Sequence, residues 1–251
     1  MSENGVQAPA EPDSVAAWNE TWKGSLDASP PDLDTPSLEN DIDRLKLEFL
    51  APFLGKKGRA VEIGCGSARL LARVGKAAPL ELFAVDTSPA ALAVARATSK
   101  AIGIPITCIQ SDARHLDLET GSFDLVLSGG LLEHFPDPRP VLAEMVRILR
   151  PGGVFYADVV PRKLSWYRRR DLFRMIRSPW MLPGVYESAF GARYYRRVLE
   201  ELGCVDVVSR GCGVYPARNP RKWLRYTERL DGTAIGDLLG WYFMLSARKA
   251  G

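Results

Sequence analysis

The sequence predicts an α/β protein whose mostly parallel β-sheet carries helices on both faces. Between residues 59 and 160, short apolar runs rich in β-branched residues alternate with stretches of helical periodicity. Each helix then returns the chain to the same edge of the sheet, and repeated crossovers of one hand build a parallel sheet. A glycine turn at Gly64 and Gly66 follows the first apolar run, and there a ligand can approach bare backbone.

The elements follow from apolar periodicity and from local stop signals. A helix with apolar residues at helical intervals precedes the first strand, and Ser88 followed by Pro89 is typical of a helix start. Pro151, Gly152 and Gly153 predict the end of a helix. In chain order, strands are predicted at residues 60–63, 81–86, 106–112, 123–130 and 154–160, and the helices between them at residues 68–76, 89–101 and 138–150.

The pattern is less regular after the fifth strand. A helix is predicted at residues 188–203, a strand at 204–211 and a last strand at 241–249, whereas residues 214–234 look irregular and basic. We divide the chain by these changes of pattern. The divisions are a flexible N-terminal segment or lid at 1–36, a ligand-binding core at 37–160, a basic aromatic cap insertion at 161–187 and the C-terminal part of the core at 188–251.

Size, charge and cysteine content narrow the class of protein. The 251 residues are 46% hydrophobic and 25% charged, which is typical of a globular α/β protein. No apolar run reaches the roughly eighteen residues of a membrane span, and the N-terminus has no signal-peptide pattern, so we expect a cytoplasmic location. Four scattered cysteines and two isolated histidines predict no metal site.

Charge is distributed unevenly along the chain. The net charge is +3, yet residues 1–50 hold eleven acids and three bases, and residues 162–229 hold sixteen bases and six acids. The basic block has three interpretations: a solvated cap helix, a set of arginines for a phosphate or carboxylate substrate, or a surface for an anionic membrane or nucleic acid. No nucleic-acid-binding module is recognisable in the sequence.

The glycine turn itself discriminates between ligands. The frame is Gly64-x-Gly66-x-x-Arg69, so the third glycine of a dinucleotide-binding fingerprint is missing. Glu62 precedes the turn and suits a ligand that carries positive charge better than a pyrophosphate. Five motifs then occur in one order: EIGCG at 62–66, AVDTSP at 84–89, QSDARHL at 110–116, FDLVLSGGLLEHFPDP at 123–138 and LRPGGVF at 149–155.

Together these motifs resemble the class I S-adenosylmethionine-dependent methyltransferases of the small-molecule, type 11-like kind. The resemblance covers residues 42–160 well and the part after residue 188 more loosely. It implies a Rossmann-like, seven-stranded, mostly parallel sheet whose last strand is antiparallel. It also implies S-adenosylmethionine as the cofactor and S-adenosylhomocysteine as the product. The implied cofactor-binding residues are Glu62, Gly64, Cys65, Gly66, Asp86, Thr87, Asp112, Ala113, Ser128 and Gly129.

Two acidic residues have alternative roles within this set. By resemblance Asp86 accepts both ribose hydroxyls, but a residue before a helix could instead serve as its cap. Asp112 bonds the adenine amino group beside the amide of Ala113, or it only forms a turn. Glu62 holds the ammonium end of the cofactor, directly or through water, or it is an exposed salt-bridge partner.

His134 is the candidate general base, because it follows the fourth strand at the expected rim of the ligand site. Its alternative role is to hydrogen-bond backbone and shape that loop; Glu133 is a weaker candidate base, and His115 is expected at the surface. The candidate substrate-binding residues are aromatic or basic: Trp18, Trp22, Trp166, Arg170 and Tyr194.

The predicted reaction is methyl transfer to oxygen, nitrogen or carbon of a small organic acceptor, which is anionic or amphipathic. Peripheral membrane contact through the basic insertion, and a membrane-associated lipid or RNA as acceptor, stay open as alternatives, and the sequence does not indicate an oligomeric state. Two other functions compete, namely an NAD(P)-dependent oxidoreductase and a non-catalytic partner subunit that keeps the cofactor pocket.

Overall fold

The computed structural model describes residues 14–26, 31–55, 57–169, 180–182 and 185–251. Arg170 of the predicted substrate set lies outside the described residues, so the predicted cap insertion at 161–187 is described only in part. Within the described ranges, no helix combines the length and the apolar composition that crossing a bilayer would require.

A seven-stranded sheet forms the centre of the molecule. Its strands lie in the order β3-β2-β1-β4-β5-β9-β8, and β9 runs antiparallel to both of its neighbours while the other pairings are parallel. This confirms the predicted sheet and its antiparallel last strand. The strands are β1 Arg59–Ile63, β2 Glu81–Asp86, β3 Ile106–Gln110, β4 Phe123–Gly129, β5 Leu149–Val159, β8 Cys204–Cys212 and β9 Tyr242–Lys249, and a separate hairpin pairs β6 Trp180–Leu182 with β7 Val185–Tyr186.

Helices cover both faces of the sheet, as the sequence predicts. Alternation along β1 sends Val61 and Ile63 into one core with α5 and α6, and Ala60 into a second core with α2, α3 and α4. Both cores are closed to solvent. The helices are α1 Ser14–Leu26, α2 Leu38–Leu50, α3 Arg69–Ala77, α4 Pro89–Ile102, α5 Arg139–Ile148, α6 Ala192–Glu201, α7 Pro220–Thr227 and α8 Ala234–Leu239.

The start of α4 also anchors the N-terminal helix. Ser88 is the N-cap, as predicted, and its Oγ accepts a hydrogen bond from the amide of Ala91 at 3.2 Å. The same hydroxyl donates to Oδ1 of Asn19 at 3.0 Å, and the amide of Ala90 donates to that oxygen at 3.3 Å. α1 is therefore attached to the first turn of α4, where backbone amides have no acceptor within their own helix.

Two predicted boundaries are wrong at the junction of α5 and β5. The helix ends at Ile148, and the strand begins at Leu149 and includes the Pro-Gly-Gly sequence that was expected to be a turn. The pairing with β4 shifts between Phe123 and Leu125, so the glycines form an irregularity within the strand. Gly152 has a φ of 73°, a left-handed conformation that glycine adopts without strain.

The structure corrects two further expectations, the end of the third strand and the conformation of residues 214–234. β3 ends at Gln110, and Asp112 instead forms an isolated bridge with His115. Residues 214–234 are not irregular, because they contain α7 and the start of α8. Leu224 of α7 is buried in a small core with Leu45 of α2, which stabilises a helix too short to form alone.

The buried β5 gives a direct test of this packing. Phe155 has no exposed surface and lies in the core beside α5, so Phe155→Ala should lower the free energy of unfolding by about 3–5 kcal/mol. Val208 on β8 is 49% exposed, and Val208→Ala should change the free energy by only about 0.5 kcal/mol. Urea unfolding at equilibrium measures both values, and equal effects of the two substitutions would contradict the described core.

Candidate functional site

A cavity of about 320 Å³ lies at the carboxyl ends of β1, β2 and β4. Open α/β sheets bind their ligands at this edge. Nine of the ten predicted cofactor-binding residues line the cavity, together with His134, Trp18 and Trp22. The nine are Glu62, Gly64, Cys65, Gly66, Asp86, Thr87, Asp112, Ala113 and Gly129.

The turn after β1 presents bare backbone because its glycines have no room for a side chain. Gly64 and Gly66 have φ angles of 66° and 49°, and a Cβ on Gly64 would lie 2.7 Å from Cδ1 of Leu131. A Cβ on Gly66 would collide with the indole ring of Trp22. α1 therefore packs directly on the turn, and the two glycines permit that contact.

Asp86 holds the turn in place. It is 8% exposed, and its two carboxylate oxygens accept hydrogen bonds from the amides of Gly66 at 3.0 Å and Ser88 at 2.9 Å. Burial raises the pKa of Asp86, and these amide hydrogen bonds oppose the rise. Each carboxylate oxygen has a second lone pair, so Asp86 can also accept two hydrogen bonds from a ligand.

Asp112 also lines the cavity, and it is paired with a neighbouring arginine. Its carboxylate forms an ion pair with Arg114 at 2.8 Å and accepts a hydrogen bond from the amide of the same residue. The Arg114 guanidinium hydrogen bond is the largest cause that lowers the pKa of Asp112. Ala113 lies between them and lines the cavity, as predicted. His115 is exposed, which confirms its predicted surface position.

Opposite charges meet at the deep end of the cavity. Glu62 is 4% exposed, which excludes the exposed salt-bridge alternative, and its carboxylate accepts a hydrogen bond from the amide of Leu71 at 3.3 Å. Burial raises the pKa of Glu62 to about 8. Lys46 of α2 lines the same end and forms an ion pair with Asp158 at 2.9 Å. Burial alone would lower the pKa of Lys46, but the Asp158 carboxylate raises it overall.

Sequence reasoning missed the charged residues of α2. Asp43 and Lys46 both line the cavity, and Asp43 accepts hydrogen bonds from Arg69, the residue that replaces the third glycine. Asn40 also accepts from Arg69, at 2.6 Å. The spacing of Asn40 and Asp43 on one helix face was an available signal, but only folding brings that face against α3.

His134 lies at the mouth of the cavity with a defined tautomer. Its Nδ1 is 2.7 Å from the carbonyl oxygen of Tyr186, and a carbonyl can only accept, so Nδ1 carries the proton. In the neutral ring Nε2 is then the acceptor. The edge of Trp18 packs against the ring at 4.8 Å between centroids. Phe135, which the sequence did not single out, and Tyr186, which the sequence offers only as one of several aromatic residues suited to a ring-bearing substrate or to the core, complete an aromatic rim.

Three predicted residues do not reach the cavity. Ser128 is fully buried, its Oγ has no hydrogen-bond partner among the described residues, and it does not line the cavity, whereas the next residue, Gly129, does. Trp166 packs on Trp223 at 5.6 Å, and Tyr194 stacks on Phe190 at 4.0 Å, both away from the cavity.

The Cys65 thiol and the Glu133 carboxyl are poorly suited to act as nucleophile or base. Burial raises the pKa of the Cys65 thiol well above its usual range, so the thiol is protonated and unsuited to act as a nucleophile. Burial also raises the pKa of Glu133, which accepts a hydrogen bond from the amide of Val160 and does not line the cavity. In the described part of the chain, no group of three potential ligands is arranged to hold a metal ion.

Comparison with known proteins identifies similar chains. A family model described as a methyltransferase domain matches residues 61–157. A ubiquinone biosynthesis O-methyltransferase of Methylococcus capsulatus is 31% identical over 128 residues, which are 50% of this chain. The chain spans 54% of that relative's length, so the relative's own activity is not transferred by the alignment alone.

Two solved structures share the fold. The [4+2]-cyclase SpnF superimposes with a TM-score of 0.65 at 19% identity, over 98% of this chain and 99% of that chain. A phosphoethanolamine N-methyltransferase 2 of Haemonchus contortus, solved with phosphomonomethylethanolamine and S-adenosylhomocysteine, gives a TM-score of 0.58 at 17% identity, over 83% of this chain and 53% of that chain. At these identities the similarity concerns the fold alone.

The raised pKa of the buried Glu62 can be tested through the pH dependence of stability. Its pKa is about 8 in the folded chain and 4.5 in its ordinary state, so the native state binds the extra proton and stability falls as pH rises between those values. Glu62→Gln removes the charge and keeps an acceptor for Leu71. Its free energy of unfolding, measured in urea, should exceed that of the wild type by a margin that grows from about pH 5 to about pH 8.

The matched control is the exposed Glu119, since Glu119→Gln changes the same chemical group without burial. Its difference from the wild type should stay constant with pH. If Glu62→Gln and the wild type lose stability in parallel as pH rises, the protonated state assigned to Glu62 is wrong.

Proposed function

We propose that this chain, which belongs to the class I S-adenosylmethionine-dependent methyltransferases, transfers a methyl group to a hydroxyl oxygen of a small, ring-bearing acceptor. The observation that carries the proposal is the meeting of two features at one cavity. The predicted cofactor-binding residues line it, and the acceptor nitrogen of His134 belongs to a ring at its mouth. The name of the Methylococcus relative, an O-methyltransferase, supports oxygen as the accepting atom.

The residues present fit S-adenosylmethionine at both ends of the cavity. When bound, this cofactor supplies a methyl group on a positively charged sulfur. Asp86 would accept the ribose hydroxyls with its remaining lone pairs, and Asp112 and Ala113 would contact the adenine. Gly64 and Gly66 allow close approach of the ligand to the turn.

The deep end suits the amino-acid portion of the cofactor. Lys46 and Arg69 offer positive charge to its carboxylate, while Glu62 offers a carboxylate to its ammonium group. A zwitterion is desolvated at lower cost when charges of both signs face it. Because Glu62 has a raised pKa, a nearby ammonium would also favour its ionised form.

His134 would act on the acceptor. A hydroxyl is a weak nucleophile until it loses its proton, so methyl transfer to oxygen benefits from a general base. The hydrogen bond from Nδ1 to the Tyr186 carbonyl leaves Nε2 of the neutral ring able to take that proton. The same hydrogen bond stabilises the imidazolium that results. The alternative, a purely structural rim histidine, predicts no effect on the pH dependence of the rate.

α1 would exclude water from the reaction. Trp18 packs against His134, and Trp22 covers Gly66, while Asn19 between them is bonded to the start of α4. This position agrees with the lid expected for residues 1–36. A closed aromatic cover suits transfer from a sulfonium, because bulk water is kept from the reacting atoms.

The walls near His134 favour an acceptor with a ring. Trp18, Phe135 and Tyr186 present aromatic surface there, and flat rings pack well between such side chains. The nearby Arg114 also lines the cavity and is paired with Asp112. A cytoplasmic location and the absence of nucleic-acid substrates stay predictions from the sequence.

Removing the Asp86 carboxylate tests the cofactor assignment. Asp86→Ala should weaken binding of S-adenosylhomocysteine roughly a hundredfold, or about 3 kcal/mol, because two hydrogen bonds to a charged group are lost. Isothermal calorimetry measures the affinity, and a thermal melt of the free protein reports whether the turn is still folded.

Asp86 also supports the turn, so its ribose contact needs a separate readout. The 2′,3′-dideoxy analogue of S-adenosylhomocysteine has no ribose hydroxyls. Asp86→Ala should therefore weaken binding of this analogue, relative to the wild type, only by the amount that the altered turn causes. If the variant loses as much affinity for this analogue as for the normal ligand, Asp86 acts only through the turn.

The general base is tested with matched acceptors. A panel of hydroxylated aromatic compounds should yield a methyl ether and S-adenosylhomocysteine, and His134→Ala should lower kcat by about 10²–10⁴-fold with a smaller change in KM. The acidic limb of the pH–rate profile should also be lost. His115→Gln, a change at the exposed histidine, should behave as the wild type.

Aniline analogues of the accepted phenols sharpen this test, since a neutral amine needs no base. Any amine that the wild type methylates should retain its rate in His134→Ala. An undiminished rate with phenols across the pH range would exclude His134 as the base, and no methylated product from any phenol would contradict the proposed reaction.

A further inference from the structure

Exposed apolar side chains gather on one surface beyond β5. They belong to three separate segments, namely the residues after β5, α7 and α8. Leu238 is 71% exposed and Tyr226 is 62% exposed, which is unusual for side chains of this size. We name this surface the apolar platform, and its members are Leu164, Trp223, Tyr226, Ile235, Leu238 and Leu239.

Trp166 joins the three segments into one surface. Its ring packs on Trp223 of α7 at 5.6 Å, and its backbone amide donates to the carbonyl of Leu239 in α8 at 3.4 Å. Lys163 adds a second tie, because its Nζ donates to the carbonyl of Asp237 at 2.8 Å. The platform is therefore a built surface and not a scatter of single exposed residues.

Positive charge borders the platform on α7. Lys222 and Arg225 are both exposed; Lys222 lies one turn from Tyr226, and Arg225 lies on the flank toward α2, where it lines a small cleft with Asp41 and Glu228. Neither forms an ion pair with another residue of the described ranges. Arg221 differs, since it is paired with Asp41 of α2 at 2.6 Å.

The acidic side chains near the platform form ion pairs or accept hydrogen bonds. Glu228 pairs with Arg44 of α2 at 3.0 Å. The carboxylate of Asp237 accepts a hydrogen bond from the amide of Gly211 at 3.0 Å. Asp231 is buried and accepts from the amide of Gly213. Asp237 is exposed and stays negative, but Lys163, Lys222 and Arg225 outnumber it, so the charge beside the platform is positive on balance.

We propose that the apolar platform docks this protein on an anionic lipid bilayer. Tryptophan and tyrosine favour the boundary between lipid headgroups and acyl chains, leucine and isoleucine favour the acyl region, and bases beside them attract anionic headgroups. A second copy of the chain is a poorer occupant, because pairing two platforms would gather Lys222 and Arg225 of both copies at one interface. A nucleic acid would match the bases but not the exposed leucines.

The platform is connected to the wall of the cavity. α2 supplies Asp41 and Arg44 to the ion pairs with α7 and with Glu228, and on its other side it supplies Asp43 and Lys46 to the cavity. The residues after β5 also leave the sheet at the edge where the cavity opens. Docking would therefore hold the cavity close to the bilayer, where amphipathic molecules concentrate.

Vesicle binding tests the proposal without cofactor or acceptor, so its result is independent of the proposed methyl transfer. The full chain should co-sediment with vesicles of phosphatidylcholine and phosphatidylglycerol in equal amounts, and only weakly with phosphatidylcholine alone. Binding should decrease as salt is raised, because headgroup attraction is screened.

Two double variants separate the apolar and the charged contributions. Trp223→Ser with Leu238→Ser should reduce the partition coefficient at least tenfold. Lys222→Glu with Arg225→Glu should reduce it at least about 25-fold on vesicles that contain phosphatidylglycerol, since each base near the surface contributes roughly fivefold. Far-ultraviolet circular dichroism checks that both variants are folded.

Matched controls lie elsewhere on the surface. Val205→Ser with Val208→Ser removes apolar side chains that are 48% and 49% exposed on β8, and Arg96→Glu with Lys100→Glu reverses two exposed bases four positions apart on α4. Both should bind as the wild type does.

The proposal is overturned if the wild type does not bind the anionic vesicles at low salt, or if the platform variants bind them as well as the controls. It is also overturned if the wild type is a dimer that Trp223→Ser with Leu238→Ser converts to a monomer, since the platform would then be an interface between copies of this chain.

Discussion

The carboxylate of Asp86 holds together the part of the molecule on which the cavity depends. Through Gly66 it fixes the turn after β1, and through Ser88 it fixes the start of α4, so one buried side chain sets the relative positions of two strands and a helix. Burying a carboxylate is costly unless hydrogen bonds compensate, and these two amides supply that compensation. Asp86 also lines the cavity and has lone pairs left, which makes one residue both a structural tie and a candidate ligand contact.

A second constraint comes from charges that are buried together. Lys46 and Asp158 form an ion pair, and Glu62 beside them stays largely protonated because burial raises its pKa to about 8. Arg69 occupies the position of the missing third glycine, where Asp43 and Asn40 of α2 neutralise and orient it. The residue that departs from the dinucleotide pattern is therefore held by partners on α2. This network attaches α2 to the central fold and gives the deep end charges of both signs.

The fold by itself does not decide the reaction. A cyclase superimposes on 98% of this chain, and part of an N-methyltransferase superimposes on 83% of it, so the same framework accompanies different chemistries. The features that bear on the reaction of this chain are local. The backbone carbonyl of Tyr186 defines the tautomer of His134, and an aromatic rim surrounds that ring. Function therefore has to be argued from these atoms, and the apolar platform beyond β5 adds a surface that the framework does not explain.

The sequence alone determined the sheet, the glycine turn and nine of the ten cofactor-binding candidates that line the cavity, because short-range rules govern them. Apolar runs that alternate with helical stretches specify parallel strands, and glycine permits a left-handed turn. Parallel strands then bring their carboxyl ends to one edge of the sheet. The start of α4 at Ser88 was predictable for the same local reason.

The tertiary structure decided what depends on contacts between distant segments. It brought Lys46 against Asp158, 112 positions away in the chain, left Ser128, Trp166 and Tyr194 outside the cavity, and gathered the platform from three segments. The Pro-Gly-Gly sequence became an irregularity within β5 because pairing with β4 outweighed its turn preference. Such outcomes depend on which surfaces meet, and local periodicity does not specify that.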